Sequence, residues 1–261
     1  MLASGRVEIG PREADWVIEA AERRASTTDE VERIALELAE RRAEGEPLQY
    51  VLGTAAFRHL ELSVGPGVLV PRPETEVLVE RALDRLPQGG TIVDVGTGSG
   101  AIALAIKQER PDARVWATDD SSDALDYARA NREQLGLDLE ILCGGLFEAL
   151  PGSLRGDFDV VVSNPPYVSG SETHLVAPDV LGHEPDHAVF GGGGDGLSIV
   201  TTLVRQTTGW LRPEGWLVCE IGHGQSAAVV GLFESAGFVD AGVHEDLAGW
   251  DRIVEGRKPE Q

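Results

Sequence analysis

The stretch that decides the fold lies at positions 158–167 and reads Phe158-Asp159-Val160-Val161-Val162-Ser163-Asn164-Pro165-Pro166-Tyr167. Its first half is rich in β-branched residues and too short for a helix, and two prolines stop it, which is typical of a buried parallel strand. The polar second half therefore stands at the carboxyl end of a strand. Because ligands bind at that edge of open α/β sheets, the sequence predicts a binding site there.

The motif after the strand carries the chemistry of nitrogen recognition. Two successive prolines fix the backbone, so the Asn164 carboxamide and the Pro165 carbonyl can converge as acceptors on one NH2 group. Such acceptors orient a poorly nucleophilic amide or exocyclic amine and relieve the charge that develops on nitrogen during attack. Tyr167 offers a flat face to a planar substrate. A plain Pro-Pro turn is the alternative, which the tyrosine and the Val-rich strand disfavour.

Upstream of this strand, the chain alternates between strand and helix patterns. Residues 91–95 predict a strand, 96–100 a glycine loop, 101–110 a helix, and 114–118 a strand that ends at Asp119. Glycines let backbone amides approach a ligand, and Asp119 can accept both ribose hydroxyls, so the unit is typical of nucleotide-binding half-folds. The loop by itself does not separate NAD from S-adenosylmethionine.

Downstream, residues 168–196 form a stretch too long for an ordinary connection, and we favour a substrate lid. His183 and His187 are spaced like metal ligands, but no third ligand is evident, so no metal site is predicted. The remaining pattern predicts helices at 122–135, 198–211 and 226–236, strands at 139–142 and 216–221, a possible adenine-flanking loop at 143–147, and an antiparallel terminal hairpin from 238–243 and 252–255.

Two helices are predicted near the start of the chain. One runs over residues 11–24, and a capping box with Thr27 as N-cap and Glu30 at N3 opens the second. We interpret the pair as a small module that either docks a substrate or braces the fold. Residues 50–53 and 57–64 then predict two paired strands.

A stiff segment with two prolines around an arginine follows the paired strands. It reads Val70-Pro71-Arg72-Pro73-Glu74-Thr75-Glu76 and leads into a helix. Stiff segments cost little entropy to order, so this one is either a wall of a site or a rigid linker. Arg72, Glu74 and Glu76 are candidate site residues.

Net charge, hydropathy and cysteine content indicate which class of substrate and which cellular compartment to expect. The 261 residues include 44 acidic and 22 basic side chains, a net charge of −22. A phosphate backbone would be repelled, so the charge favours a protein or small-molecule substrate over direct nucleic-acid binding. No apolar stretch approaches the roughly 18 residues of a membrane span, so we expect a soluble cytoplasmic protein. Cys143 and Cys219 are interpreted as buried inert thiols.

Taken together, these segments resemble the class I S-adenosylmethionine-dependent methyltransferases. More narrowly, the chain is similar to the HemK/PrmC family of protein glutamine N5-methyltransferases, which modify class I peptide-chain release factors. The resemblance covers about 45–257, and Asn-Pro-Pro-Tyr alone is shared with amino-methyltransferases of nucleic acids. Its markers are Gly45-Glu46-Pro47-Leu48-Gln49-Tyr50, Val70-Pro71-Arg72-Pro73-Glu74-Thr75-Glu76, Asp94-Val95-Gly96-Thr97-Gly98-Ser99-Gly100, Ser163-Asn164-Pro165-Pro166-Tyr167-Val168, Glu184-Pro185 and Phe190-Gly191-Gly192.

The resemblance implies an α/β Rossmann-like fold: a seven-stranded sheet with the last strand antiparallel, and a small N-terminal helical domain joined by a β-hairpin. We place an N-terminal helical docking region at 1–46, the hairpin and a linker helix at 47–86, and the methyltransferase domain at 87–261. S-adenosylmethionine, leaving as S-adenosylhomocysteine, would be held by Gly96, Thr97, Gly98, Ser99, Gly100, Asp119, Leu146 and Asn164. The substrate glutamine, from a Gly-Gly-Gln loop, would be held by Asn164, Pro165, Pro166 and Tyr167, with Asn164, Pro165 and Tyr167 as the catalytic groups.

Two departures from the family pattern leave other functions open. Gly145 stands where the family commonly has an acidic residue beside the adenine, and the N-terminal helical region is short. An N6-adenine or other amino-methyltransferase acting on a flipped base is one alternative. A non-catalytic S-adenosylmethionine-binding protein is another. An NAD dehydrogenase is less favoured, because no acid for hydride transfer is assembled.

Overall fold

A seven-stranded sheet is the central element of residues 8–260, the part of the chain that the computed structural model describes. A separate two-stranded hairpin precedes it. The strands are β1 Thr54–Phe57, β2 Leu60–Ser63, β3 Thr91–Val95, β4 Arg114–Asp119, β5 Glu140–Cys143, β6 Phe158–Ser163, β7 Leu211–Glu220, β8 Val239–Glu245 and β9 Asp251–Arg257. The helices are α1 Pro11–Arg24, α2 Thr28–Ala43, α3 Leu48–Leu52, α4 Thr75–Arg85, α5 Ala101–Glu109, α6 Ser122–Leu135, α7 Pro178–His183, α8 Asp186–Val189, α9 Ser198–Thr207 and α10 Ser226–Ser235.

The order of the strands places the two sequence motifs side by side. The sheet runs β5-β4-β3-β6-β7-β9-β8, with parallel pairing from β5 to β7 and with β9 antiparallel to both neighbours. The chain leaves β3 towards one side and β6 towards the other, so the strand order switches between them. The glycine loop after β3 and the motif after β6 therefore share one crevice at the carboxyl edge. The predicted α/β fold, its last antiparallel strand and the terminal hairpin are confirmed.

Helices cover both faces of this sheet, which explains the apolar run that identified β6. All six residues of β6 are buried, as expected for a strand packed on two sides. Successive residues of a strand point to opposite faces, and Ile92 accordingly packs with α4 and α5 while Val93 packs with α9 and α10.

The N-terminal helices close a small core of their own. Val17, Ala20 and Leu38 of α1 and α2 pack against Val51 of α3. Thr27 caps α2 as predicted, accepting a hydrogen bond from the Glu30 amide at 3.3 Å. Helix α3 packs with this core, whereas the hairpin packs on the sheet layer. The domain boundaries placed at residues 46 and 86 stay predictions. Residues 1–7 of the first region lie outside the described residues.

Several local predictions were wrong. Residues 50–53 are not a strand: Tyr50 and Val51 lie in α3, where both bury their side chains on one side of a short helix, and the hairpin is confined to 54–63. Helix α9 ends at Thr207, because β7 begins at Leu211 to pair with β6. Cys143 is exposed, since it ends β5 at the edge of the sheet.

The long stretch 168–196 is not structureless. It contains a 3-10 turn at Gly170–Leu175 and the short helices α7 and α8, each opened by a proline at or before its first residue. A bridge from Val168 to Phe190 brings its ends together. Within residues 8–260, no helix is both long and apolar enough to cross a membrane.

Candidate active site

A cavity of about 340 Å³ joins the glycine loop to the asparagine–proline motif at the carboxyl edge of the sheet. Nine of the predicted site residues line it, whereas Gly100 and Tyr167 do not. The nine are Gly96, Thr97, Gly98, Ser99, Asp119, Leu146, Asn164, Pro165 and Pro166. The fold thus brings the two ligand-binding segments predicted from the sequence into one space.

Hydrogen bonds to β4 shape the glycine loop. The amides of Gly96 and Thr97 both donate to the Thr118 carbonyl, at 2.8 and 3.0 Å. Gly100 has a φ of 85° and precedes α5 as its N-cap, and a Cβ there would lie 2.9 Å from the Leu104 side chain. Gly100 therefore serves the turn into α5, where a side chain would clash and the backbone would be strained.

Asp119 ends β4 beside the loop, as the sequence predicted. Its Oδ2 accepts from the Gly98 amide at 2.8 Å, and its Oδ1 accepts from the Ser121 amide at 2.9 Å. Burial raises the pKa of this carboxyl above its ordinary value. Each carboxylate oxygen can accept more than one hydrogen bond, so Asp119 retains acceptor capacity towards the cavity that it lines.

A second acid, Asp94, lies fully buried beneath the loop. Its Oδ2 accepts from the Thr97 hydroxyl at 2.5 Å and from the Ala103 amide at 3.2 Å, while Oδ1 has no partner among the described residues. Burial raises its pKa to about 7. A buried oxygen without a partner is costly, and because Asp94 is fully buried it does not line the cavity itself.

Gly145 lines the cavity, and there is room for a side chain at this position. A Cβ built there would lie 3.6 Å from Oε2 of Glu148, an ordinary van der Waals distance. The carboxylate that the family pattern places at this position is thus absent, and Glu148 is the acid nearest to the space.

The asparagine–proline motif is anchored at both of its ends. Ser163 donates its hydroxyl to the Val95 carbonyl at 2.6 Å, which joins the ends of β6 and β3. The Asn164 side-chain nitrogen, Nδ2, donates to the Thr75 hydroxyl at 3.1 Å. The Tyr167 ring does not face the cavity, because its hydroxyl donates to Glu220 at 3.3 Å.

Two residues of this network were missed by the sequence analysis. Thr75 lies in the proline-rich segment but was not selected as a site residue, and Glu220 ends β7. Both are buried, and burial raises the pKa of Glu220 to about 7. An acid directly after an apolar strand is the signal that identified Asp119, and the same signal could have identified Glu220.

The segment 168–196 covers one side of the cavity. Arg72 donates to Glu184 at 2.5 Å, and the Val70 amide donates to the other carboxylate oxygen at 3.3 Å. The Arg72–Glu184 pair joins the segment 168–196 to the proline-rich segment 70–76. Each of the two segments lines the cavity, through Pro185 and Arg72 respectively. Of the other linker candidates, Glu74 precedes α4 as its N-cap and Glu76 accepts from the Arg58 amide at 2.9 Å; neither lines the cavity.

The histidine pair of this segment is split between two environments. His183 Nδ1 lies 3.1 Å from the Asp179 carbonyl, and His187 lines the cavity. Over residues 8–260, no three histidine, cysteine, aspartate or glutamate side chains are grouped so that they could hold a metal ion.

Comparison with known proteins identifies the family. Residues 73–194 match the family described as Methyltransferase small domain. Over 220 residues, the chain is 43% identical to the release factor glutamine methyltransferase of Geobacter sulfurreducens, covering 84% of this chain and 76% of that protein. It is 44% identical over 229 residues to the protein of the same name from Neisseria gonorrhoeae, covering 88% and 83%. This chain belongs to the release factor glutamine methyltransferase family.

A solved structure agrees on the fold. A methyltransferase from Pyrococcus furiosus superposes with a TM-score of 0.60 over 78% of this chain and 92% of that one, at 20% identity. The family relation that the marker segments indicated is confirmed, and with it the assignment of the chain to a family of methyltransferase enzymes.

Proposed function

We propose that this protein transfers a methyl group from S-adenosylmethionine to the side-chain nitrogen of the glutamine in the Gly-Gly-Gln loop of a class I peptide-chain release factor. The single observation that carries the proposal is the cavity that joins the glycine loop to Asn164 and Pro165. A methyl donor at one end and an amide nitrogen at the other would meet within that space.

The cofactor end of the cavity suits S-adenosylmethionine. Asp119 and Asp120 line it with acidic groups, which can accept hydrogen bonds from hydroxyl groups and favour a cation, while Leu146 and Ile102 offer apolar surface to a flat base. When bound, the cofactor supplies a methyl group on an electrophilic sulfonium, and S-adenosylhomocysteine is the product.

At the substrate end, Asn164 and Pro165 hold the attacking nitrogen. The Asn164 Nδ2 donates to Thr75, so the carboxamide faces the substrate with its oxygen. Asn164 Oδ1 and the Pro165 carbonyl can then both accept from a glutamine NH2. Two acceptors orient the delocalised lone pair and stabilise positive charge on nitrogen as the bond forms. No base is required beforehand, because the nitrogen becomes acidic only as it is methylated.

The first experiment is a methyl-transfer assay. The purified protein is given S-adenosylmethionine labelled in its methyl group and an intact release factor, with a factor whose loop glutamine is replaced by asparagine as the matched control. We expect label on the glutamine of the intact factor and none on the control. Label on ribosomal RNA, transfer RNA or DNA instead would favour the nucleic-acid alternative, which the net charge of −22 disfavours.

A variant tests the role of the motif. Asn164→Ala removes the acceptor, and we expect turnover to fall by roughly a hundredfold or more, in line with the loss of a transition-state hydrogen bond. Calorimetry should show S-adenosylmethionine binding within a few-fold of wild type. Near-normal turnover of this variant would contradict the role given to Asn164. We place the reaction in the cytoplasm, where its proposed substrate acts in translation termination.

A further inference from the structure

A buried hydrogen-bond chain links the two ends of the asparagine–proline motif, and its middle residue, Thr75, lines the cavity. Asn164 Nδ2 donates to Thr75 Oγ1 at 3.1 Å, and Thr75 Oγ1 donates to Glu220 Oε2 at 2.7 Å. The second oxygen of Glu220 accepts from the Tyr167 hydroxyl at 3.3 Å. One carboxylate thus contacts Tyr167 directly and Asn164 through Thr75, with the two prolines of the motif in between.

The fold makes this chain possible through three separate elements. β6 and β7 pair in parallel with Ser163 opposite Cys219, so Asn164, which follows β6, and Glu220, the last residue of β7, are neighbours. Thr75, the first residue of α4, packs over the end of β7 and is 4% exposed, while Glu220 is 1% exposed. Water is therefore a poor competitor for these bonds.

Counting protons fixes the orientation of the Asn164 carboxamide. A threonine hydroxyl has one proton, and Thr75 gives it to Glu220, which has no proton to donate back when it is ionised. The Thr75 oxygen must then accept from Asn164, so the nitrogen of the carboxamide faces Thr75 and its oxygen is left for a substrate. If Thr75 could donate to Asn164 instead, the carboxamide could turn over and present its own NH2 group, which cannot accept from a substrate NH2.

We propose that Glu220 and Thr75 are positioning residues for methyl transfer, which set the Asn164 carboxamide with its oxygen towards the incoming nitrogen. This inference rests on the proposed function for its kinetic consequences but not for its structural ones. An ionised carboxylate that is buried costs free energy unless it is paired. Among the described residues, no cationic nitrogen lies within 4.0 Å of Glu220, so its direct contacts are the hydrogen bonds from Thr75 and Tyr167, and Arg252 acts on it from further away.

The charged and titratable groups that face Glu220 come from three elements. Tyr167 follows β6, Arg252 of β9 lowers the pKa of Glu220 through its charge, and Glu74 before α4 raises it. Burial is the largest of these effects, and the pKa rises to about 7. The Glu220 carboxylate therefore gains its proton near neutral pH. A protonated Glu220 can donate to Thr75, so the orientation of the Asn164 carboxamide is no longer enforced.

Kinetics give the first test. Thr75→Val removes the hydroxyl with little change of shape, and we expect kcat to fall roughly tenfold to a hundredfold, since misplacing one catalytic group costs that order. The affinity for S-adenosylmethionine, measured by calorimetry, should stay within about twofold. Thr75→Ser should restore turnover, because it keeps the hydroxyl. The proposal is overturned if Thr75→Val loses as much affinity for S-adenosylmethionine as it loses kcat, since that result would show a structural role. It is also overturned if Thr75→Ser fails to restore turnover.

Variants of Glu220 complete the series. Glu220→Leu should behave like Thr75→Val, whereas Glu220→Gln should retain most of the activity, because its oxygen can still accept from Thr75. Asp159→Asn is the matched control: Asp159 is a buried carboxylate at the amino end of β6, where it accepts from the Thr91 amide at 2.7 Å. We expect normal kcat from this control. Equal kcat losses in Glu220→Gln and Glu220→Leu would overturn the proposal.

A spectroscopic test needs no substrate. The chain contains two asparagines, Asn131 and Asn164, so labelling with ¹⁵N-asparagine gives two side-chain NH2 signals, and Asn164→Ala assigns them. We expect Thr75→Val to move the Asn164 signal and leave Asn131, which is bonded to Ser63 and Ser99, unchanged. In wild type, the Asn164 signal should titrate near pH 7, and in Glu220→Gln it should not.

The two tests separate the possible failures. If the wild type methylates no release factor but the Asn164 signal moves as described, the proposed function fails and the network stands. If methylation occurs and the Asn164 signal does not respond to Thr75→Val, the positioning role is refuted.

Discussion

Loss of the Arg72 guanidinium should destabilise the protein in a pH-dependent way. Arg72 pairs at 2.5 Å with Glu184, whose side chain is only 1% exposed. Among residues 8–260, the one other hydrogen-bond donor to this carboxylate is the Val70 amide at 3.3 Å. Arg72→Ala leaves a buried charge with a single backbone partner. Breaking a buried pair costs about 3–5 kcal/mol, and we expect about 3 kcal/mol at pH 8, because a third of Arg72 is exposed and its contribution is screened.

The sign of the pH dependence follows from the state of Glu184. Burial already raises the pKa of Glu184, and Arg72 opposes that rise, so the pKa climbs further in Arg72→Ala. A carboxyl whose pKa is raised by folding stabilises the protein below its unfolded pKa, and this stability is lost as the pH rises through the folded pKa. The stability of the variant should therefore fall more steeply with rising pH than that of wild type, by at most about 1.4 kcal/mol per pH unit.

Urea denaturation between pH 5 and pH 8.5 measures this difference. The matched control is the same substitution in a Glu184→Gln background, where a neutral amide does not need a cation, and there we expect Arg72→Ala to cost less than about 1 kcal/mol. The reasoning fails if Arg72→Ala costs the same at pH 5 as at pH 8. It also fails if the cost is equal in both backgrounds.

Three further predictions concern backbone packing and buried acids. Gly191→Ala should lower both stability and turnover, because the added Cβ would overlap the carbonyl oxygens of Gly196 and Pro166. Gly194→Ala is the control: its Cβ would have no neighbour within 4 Å, so we expect no change in the same denaturation and transfer assays. Glu255→Gln should lower the free energy of unfolding by about 2 kcal/mol at pH 7, because arginine partners lower the Glu255 pKa to about 2. This loss should vanish as the pH falls from about 4.5 to 2, and a loss that does not change with pH would contradict the assignment. Asp94→Asn should flatten the fall in stability of wild type between about pH 4 and pH 7, since burial raises the Asp94 pKa to about 7, and an unchanged pH profile would refute it.

Much of the sheet could be predicted because its signals are local. The helix at Ser122–Leu135 and the strand at Thr91–Val95 have the predicted bounds, since periodicity and capping residues determine them. Where a segment is short, local signals fail: residues 50–53 have an apolar pattern that fits strand or helix, and packing against α1 and α2 selects the helix. The exposure of Cys143 likewise depends on β5 being an edge strand, which no local pattern reveals.

For this protein, the sequence by itself determined the alternating strands and helices of the region 91–163, the glycine loop, the asparagine–proline motif and the family. These features depend on neighbours in the chain or on short, recognisable segments. The tertiary structure decided what surrounds the motif: Thr75 and Glu220 are 145 residues apart, and Arg72 and Glu184 are 112 apart. Such pairs depend on which strand ends lie side by side, and strand order is settled only when the whole sheet has formed.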